Sequence, residues 1–232
     1  VLRLTPRRPY RLRLLMEQIE HIGVQSVPVI TLSSLAIGMI FSLQIVDLLS
    51  LFRAEVVAGS AVGWALSREL APVITTLMLI GKNGSAMSAE LGSMRVTEQI
   101  DAMETMSVNP IHYLVVPRVW ASVLMFPALT ALANVVGIAG ASAVAIWGLN
   151  VDSAAYLDTM FRDVDPKDIL SGIVKAAIMG FIVSVICTYY GYHAGNGAKG
   201  VGESSTRAVV TASVAILVAD YVLASIMLSL IY

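Results

Sequence analysis

Four ionisable side chains stand in surroundings that do not suit charge. Arg68, Glu69, Lys175 and Asp220 each fall inside a long run of Ala, Val, Ile, Leu and Met. An ionised group in hydrocarbon costs at least about 2.5–3.5 kcal/mol, so each is expected to face a cavity or a partner. Arg68 and Glu69 lie roughly eight or nine residues below the outer end of their segment, and Lys175 about six below the outer end of its own. Glu69 and Lys175 are therefore expected to meet in the outer half of a bilayer. Such a pair has two readings: an ion pair that fixes helix packing, or a polar patch in an apolar cavity, suited to the headgroup end of an amphiphile. Asp220 falls nearer the middle of its segment with no obvious partner. A structural role is expected for it, with hydroxyls or a helix neighbour satisfying the carboxylate.

A second group of charges has a different pattern. In SMRVTEQIDAMETMSVNP (93–110), Arg95, Glu98, Asp101 and Glu104 alternate with Val96, Ile100, Met103 and Met106 at helical spacing. The expected element is a short amphipathic helix over 93–108, ended by Asn109-Pro110. It rests either on the protein's own helix ends or in a groove of a soluble partner. Its acidic face favours a basic partner, because anionic headgroups repel it.

The elements that position these groups are membrane helices. Of the 232 residues, 57% are hydrophobic and only 13% charged, about half the charge of a soluble domain. Spans are expected at 24–46, 56–89, about 114–146, 169–192 and 208–232, since roughly 20 apolar residues cross a bilayer. Arg3, Arg7, Arg8, Arg11 and Arg13 precede the first span and place the N-terminus in the cytoplasm. Five crossings then put 90–113 and 193–207 inside, and 47–58, the acidic 148–168 and the C-terminus outside. Residues 1–22 mix Arg with a Leu12, Leu15, Met16, Ile19, Ile22 stripe, as expected of a helix lying along the inner leaflet. No cleavable leader is expected, because the basic stretch leads into a full-length span.

Other motifs are structural in this reading. Ala133, Gly137, Ala141 and Ala145 recur every four residues, and Gly59 and Gly63 form a GxxxG; both favour close helix packing. Cys187 is expected to be a small buried apolar side chain. The histidines are scattered without metal spacing. GYHAGNGAKGVGES (191–204) lacks the order of a phosphate-binding loop and is expected to be a cytoplasmic loop. No nucleophile–base arrangement is visible, so the chain is not expected to be an enzyme.

The segment RELAPVITTLMLIGKNGSAMSAELGSMRVTEQIDAMETMSVNPIHYLVVPRVWA (68–121) strongly resembles the MlaE/YrbE permeases of MCE-type lipid ABC transporters. The resemblance rests on RELAP, GSAMSAELGSMRVTEQIDAME, NP and PRVWA, and extends to TRAVVTASVAILVADYVLASIM (206–227). Lys82-Asn83 departs from the usual Arg and small residue, and a lysine does not reproduce that arginine's fork geometry. The resemblance implies one all-α permease domain over 1–232, with an N-terminal interfacial helix and five transmembrane helices. It also implies a homodimer in the bacterial inner membrane and a cytoplasmic ABC ATPase dimer that supplies ATP and Mg chemistry. The family further implies a periplasmic MCE-domain ring, often a STAS-domain protein, and a part in outer-membrane lipid asymmetry. By the same token 93–108, with Arg95, Glu98, Asp101, Met103 and Glu104, is the ATPase-coupling helix, and Arg68, Glu69 and Lys175 line an outward-facing lipid cavity. Membrane lipids are the implied ligands; nucleic acid is not. A competing reading is an ion- or proton-coupled carrier using Glu69, Lys175 and Asp220, although no inverted repeat is visible. A membrane enzyme acting on headgroups is a third, without a visible ligand cluster.

Overall fold

A computed structural model describes residues 12–195 and 197–231. Every regular element among them is helical: α1 (Leu12–Ile22), α2 (Val27–Ser50), α3 (Ala58–Ala65), α4 (Ala71–Leu79), α5 (Ser85–Val96), α6 (Gln99–Thr105), α7 (Val116–Ala143), α8 (Ser153–Asp163), α9 (Pro166–Tyr192) and α10 (Gly197–Ile231). Four helical stretches are long and apolar enough to cross a membrane: Leu12–Ser50, Ile111–Gly148, Pro166–Tyr192 and Gly197–Ser229. A further stretch, 58–96, is helical throughout, with π-turns at Leu66–Leu70 and Ile80–Gly84 joining α3, α4 and α5. Its apolar run is interrupted by Arg68, Glu69, Lys82, Glu90 and Arg95. The span expected at about 114–146 is one continuous helical stretch, Ile111–Gly148, and leaves through a left-handed Asn150.

Small residues decide which helices touch. α2 and α7 meet where a Cβ on Gly38 would collide with the backbone of Gly137, and Leu35 fills the space over Gly140. Ala133, Ala141 and Ala145 are buried along the same stripe. Gly59 and Gly63 receive α8, whose Tyr156 backbone and Met160 side chain close over them. The main core gathers Ile22, Ile30, Leu79, Met87, Phe126, Met179 and Ala212, among others, from seven helices. Replacing Gly38 by Leu is expected to push α2 off α7 and cost about 1–3 kcal/mol or more, read as a lowered thermal midpoint in detergent. Gly81→Ala, with nothing within 4 Å of the new methyl, is the neutral control.

Four expectations need correction. The amphipathic helix over 93–108 is not one rod: α5 ends at Val96, Glu98 turns left-handed at φ 59°, and α6 is a separate two-turn helix. Thr97 breaks the run, its hydroxyl bonding back to the Ser93 carbonyl at 2.8 Å, the local competition by which Thr interrupts helices. Asn109 caps the next helix instead of ending this one, its side chain accepting from the His112 N–H at 3.2 Å.

The glycine-rich 191–204 is not simply a loop, since helix resumes at Gly197 and Val201 packs against Gly92. Residues 148–168 contain α8, capped by Asp152, followed by an Asp165–Asp168 capping box that starts α9. The fourth correction is Asp220, described below. Residues 1–11 of the expected interfacial helix, with Arg3, Arg7, Arg8 and Arg11, lie outside the described residues. Its remainder is α1, which packs Leu15, Ile19 and Ile22 into the core and exposes Leu12 and Met16.

Candidate functional site

The polar cluster begins with a proline. Pro72 brings no N–H to the Arg68 carbonyl four residues earlier, and the chain there is π-helical, with the Ala71 N–H reaching back to the Leu66 carbonyl. Single π-turns inside helices are frequent at functional sites. The Arg68 carbonyl accepts from Lys175 Nζ at 3.2 Å. Lys175 reaches it because Gly172, one turn earlier on α9, lets the backbones close; a Cβ there would strike the Ser67 carbonyl.

Lys175 then binds two carboxylates, Glu69 Oε2 at 2.6 Å and Asp220 Oδ1 at 3.3 Å. The expected meeting of Glu69 and Lys175 therefore occurs. Asp220 departs from expectation in depth, being no deeper than the pair, while the helix neighbour expected to satisfy its carboxylate is Lys175 of α9. α9 begins at Pro166 rather than 169, which lowers Lys175 in its helix. As a result Glu69, Lys175 and Asp220 lie about ten residues, roughly 15 Å, from the start of 58–96, the start of α9 and the end of α10 respectively. The lysine side chain is 2% exposed, Asp220 18% and Glu69 45%, so the cluster is closed at its centre and open at Glu69. Arg68 turns away from it, its Nε 3.8 Å from Asp168 and its guanidinium over the Trp64 ring at 4.3 Å.

A small, open, mostly apolar groove lies along the same helical stretch. Leu66 and Leu70, one turn apart and flanking Glu69 in the chain, line it with Ile74 and Met78; Ile30 and Ile37 form the opposite wall. None of the four charged groups lines this groove; Leu70, next to Glu69 in the chain, is the link between the two.

At the other end of the same helical stretch, α6 forms an exposed corner. Ile100 is fully buried against Leu91 and Leu114, and Met103 packs beside it. Met103 therefore holds α6 to the body, while Met106 is 75% exposed. Glu98, Asp101 and Glu104 all lie on the exposed side. Arg95 Nη1 holds Asp101 at 2.6 Å, and the Tyr192 hydroxyl donates to Glu104 at 3.1 Å. These two bonds fix the angle of α6, and Glu98 is left facing outward.

Two arrangements are missing from the sequence reading. Arg118, buried at the start of α7, pairs with Glu90 of α5 at 2.9 Å and donates to the Leu114 carbonyl at 2.8 Å. Both residues sit in motifs quoted above, PRVWA and GSAMSAELGSM, but hydropathy alone marks them as span ends. Asn83, 1% exposed, donates to the Ile22 carbonyl and to Ser26 Oγ, both at 3.1 Å. A Lys-Asn pair inside an apolar run was the available signal.

A family model described as "Permease MlaE" matches residues 15–226. A probable ABC transporter permease protein of Rickettsia felis is 42% identical over 217 residues, 94% of this chain and 84% of the relative. The intermembrane phospholipid transport system permease protein MlaE of Haemophilus influenzae is 40% identical over 215 residues, covering 92% and 82%. The chloroplastic protein TRIGALACTOSYLDIACYLGLYCEROL 1 of Arabidopsis thaliana is 40% identical over 212 residues, 90% of this chain and 60% of that one.

Proposed function

This chain belongs to the MlaE permease family of ABC transporter subunits, and from that premise we propose that it moves phospholipid between membranes at the expense of ATP hydrolysed by a partner. In this reading it is a homodimeric permease of a bacterial inner membrane, with five spans per subunit (58–96 forming the second), the N-terminus cytoplasmic and the C-terminus periplasmic. α1 lies along the inner leaflet. A cytoplasmic ATPase dimer, with or without a STAS-domain protein, grips the corner formed by α6, and a periplasmic MCE-domain ring exchanges lipid at the outer side. Residues 1–232 act as one permease domain. The chain itself supplies no cofactor chemistry; ATP and Mg belong to the partner.

One observation carries the proposal. A single helical stretch, 58–96, bears Glu69 near one end and leads at the other into the exposed acidic corner at α6. Helix is stiff along its axis, so a push at the corner reaches Glu69 about 40 Å away. There Glu69 would meet the headgroup, with Lys175 behind it and Arg68 beside it on Asp168, and acyl chains would lie in the groove beside Leu70. Asp220 holds Lys175 in place.

The test is purification of the tagged chain with its neighbours from native membranes, followed by mass spectrometry of proteins and lipids. An ABC ATPase and bound phospholipid are expected together; their joint absence would refute the proposal. The carboxylate–ammonium–carboxylate set of Glu69, Lys175 and Asp220 also fits an ion-coupled carrier. That reading requires transport in vesicles that follows the membrane potential without nucleotide.

A further inference from the structure

Several cations of the helical body have carboxylate partners. Arg68 has Asp168, Lys175 has Glu69 and Asp220, Arg118 has Glu90, and Arg95 has Asp101. Lys82 has none within 4.0 Å among the described residues. Its Nζ donates to two neutral oxygens, Ser26 Oγ at 3.0 Å and Asn83 Oδ1 at 3.5 Å. Ser26 and Asn83 are themselves buried, at 0% and 1% exposure, and Asn83 is tied to Ser26 and to the Ile22 carbonyl. The ammonium is thus aimed by a fixed polar frame, with one of its three donors left over. Beside it Gly81 opens on space, with nothing within 4 Å of its Cβ position.

The position of this frame identifies what can neutralise the charge. It sits at the corner where α1 turns into α2, level with Ile22 at the end of an amphipathic helix whose Leu12 and Met16 are exposed. Lys82 lies thirteen residues along the helical stretch from Glu69, about 20 Å nearer the α6 end. It is therefore a separate place from the cluster on Lys175. An ammonium at the hydrocarbon boundary without a protein counter-charge draws an anion, and at a leaflet surface the abundant anion is a lipid phosphate.

We propose that Lys82, framed by Ser26 and Asn83, binds the phosphate of an anionic phospholipid of the inner leaflet, at a site distinct from the Glu69 groove. The ammonium meets the phosphodiester with its remaining donor, while the buried Ser26 and Asn83 hold it from behind. It ties that lipid to the α1–α2 corner, beside the part of the 58–96 stretch that leads to α6. This inference rests on the placement of α1 along the inner leaflet proposed above.

The test uses the purified transporter in nanodiscs of phosphatidylcholine doped with phosphatidylglycerol, and native mass spectrometry counts the phosphatidylglycerol retained. Lys82→Gln keeps a donor for Ser26 and removes only the charge; it is expected to weaken retention about fivefold. Lys82→Arg is expected to retain the lipid, and Glu69→Gln to leave this lipid unaffected. Equal retention by wild type and Lys82→Gln would overturn the site. Displacement of the lipid by inorganic phosphate would overturn the lipid assignment in favour of a free-anion site. A cysteine at Glu104 that labels from outside intact cells would overturn the inner-leaflet placement itself, whereas the Lys82→Gln result alone leaves that placement standing.

Discussion

Replacing Glu69 by Lys is expected to strip bound phospholipid from the purified transporter and to lower ATP-driven lipid transfer by about tenfold or more, with the complex still assembled. The reason is the geometry of Lys175. Its ammonium is 2% exposed and lies 2.6 Å from Glu69, so a second ammonium at position 69 meets it with little water between. Assembly survives because Lys175 keeps Asp220 at 3.3 Å and the Arg68 carbonyl at 3.2 Å. The half-exposed Glu69 can also swing its replacement toward the groove.

The three-way arrangement makes a sharper expectation. Exchanging the two charges, Glu69→Lys with Lys175→Glu, does not restore transfer, because the new carboxylate at 175 faces Asp220. Adding Asp220→Asn is expected to restore part of it. Lys175→Met is the most damaging single change. It leaves two carboxylates facing each other in a largely buried site, and removing one partner of a buried pair costs about 3–5 kcal/mol. Quantifying retained lipid and transfer in proteoliposomes checks the series. Normal lipid content and transfer in Glu69→Lys would remove Glu69 from the lipid site, and rescue by the simple exchange would remove Asp220 from the cluster.

Reversing Glu98, Asp101 and Glu104 to Lys is expected to abolish co-purification of the ATPase and to leave membrane insertion unchanged. Insertion depends on the apolar helices, none of which contains these residues, whereas docking of an acidic corner depends on its charge. The three positions are not equivalent. Asp101 and Glu104 are held by Arg95 and Tyr192 and fix the angle of α6, so Asp101→Asn and Glu104→Gln should weaken the association modestly. Glu98 projects freely and should carry more of the salt dependence when changed alone to Lys. Pull-down at graded ionic strength measures this. An ATPase that remains bound to the triple variant would separate α6 from coupling.

Much of the fold and part of the site were legible in the residues. Hydropathy located the long helices, because burying a helix in lipid requires about 20 apolar residues regardless of what packs around it. The four-residue repeat from Ala133 to Ala145 pointed to close packing, and Gly38 turned out to be what it packs against. Glu69 and Lys175 were paired by depth alone. The acidic stretch announced an exposed amphipathic element, but its break at Glu98 did not show, since the side-chain bond of Thr97 outweighs a helical pattern that otherwise continues.

The amino-acid sequence by itself determined that this is a bundle of membrane helices with charges at defined depths and an acidic corner near residue 100. Those properties follow from transfer free energy and periodicity, which are local sums along the chain. Tertiary structure alone decided that Asp220 completes the Lys175 cluster, that Asn83 clasps the α1–α2 corner, and that Arg118 meets Glu90. Each of these depends on where a helix starts and how it rotates against a neighbour distant in the chain. Helix starts shift by a few residues through capping, as at Asp165 and Asp168, and rotation is set by which small residues let backbones touch.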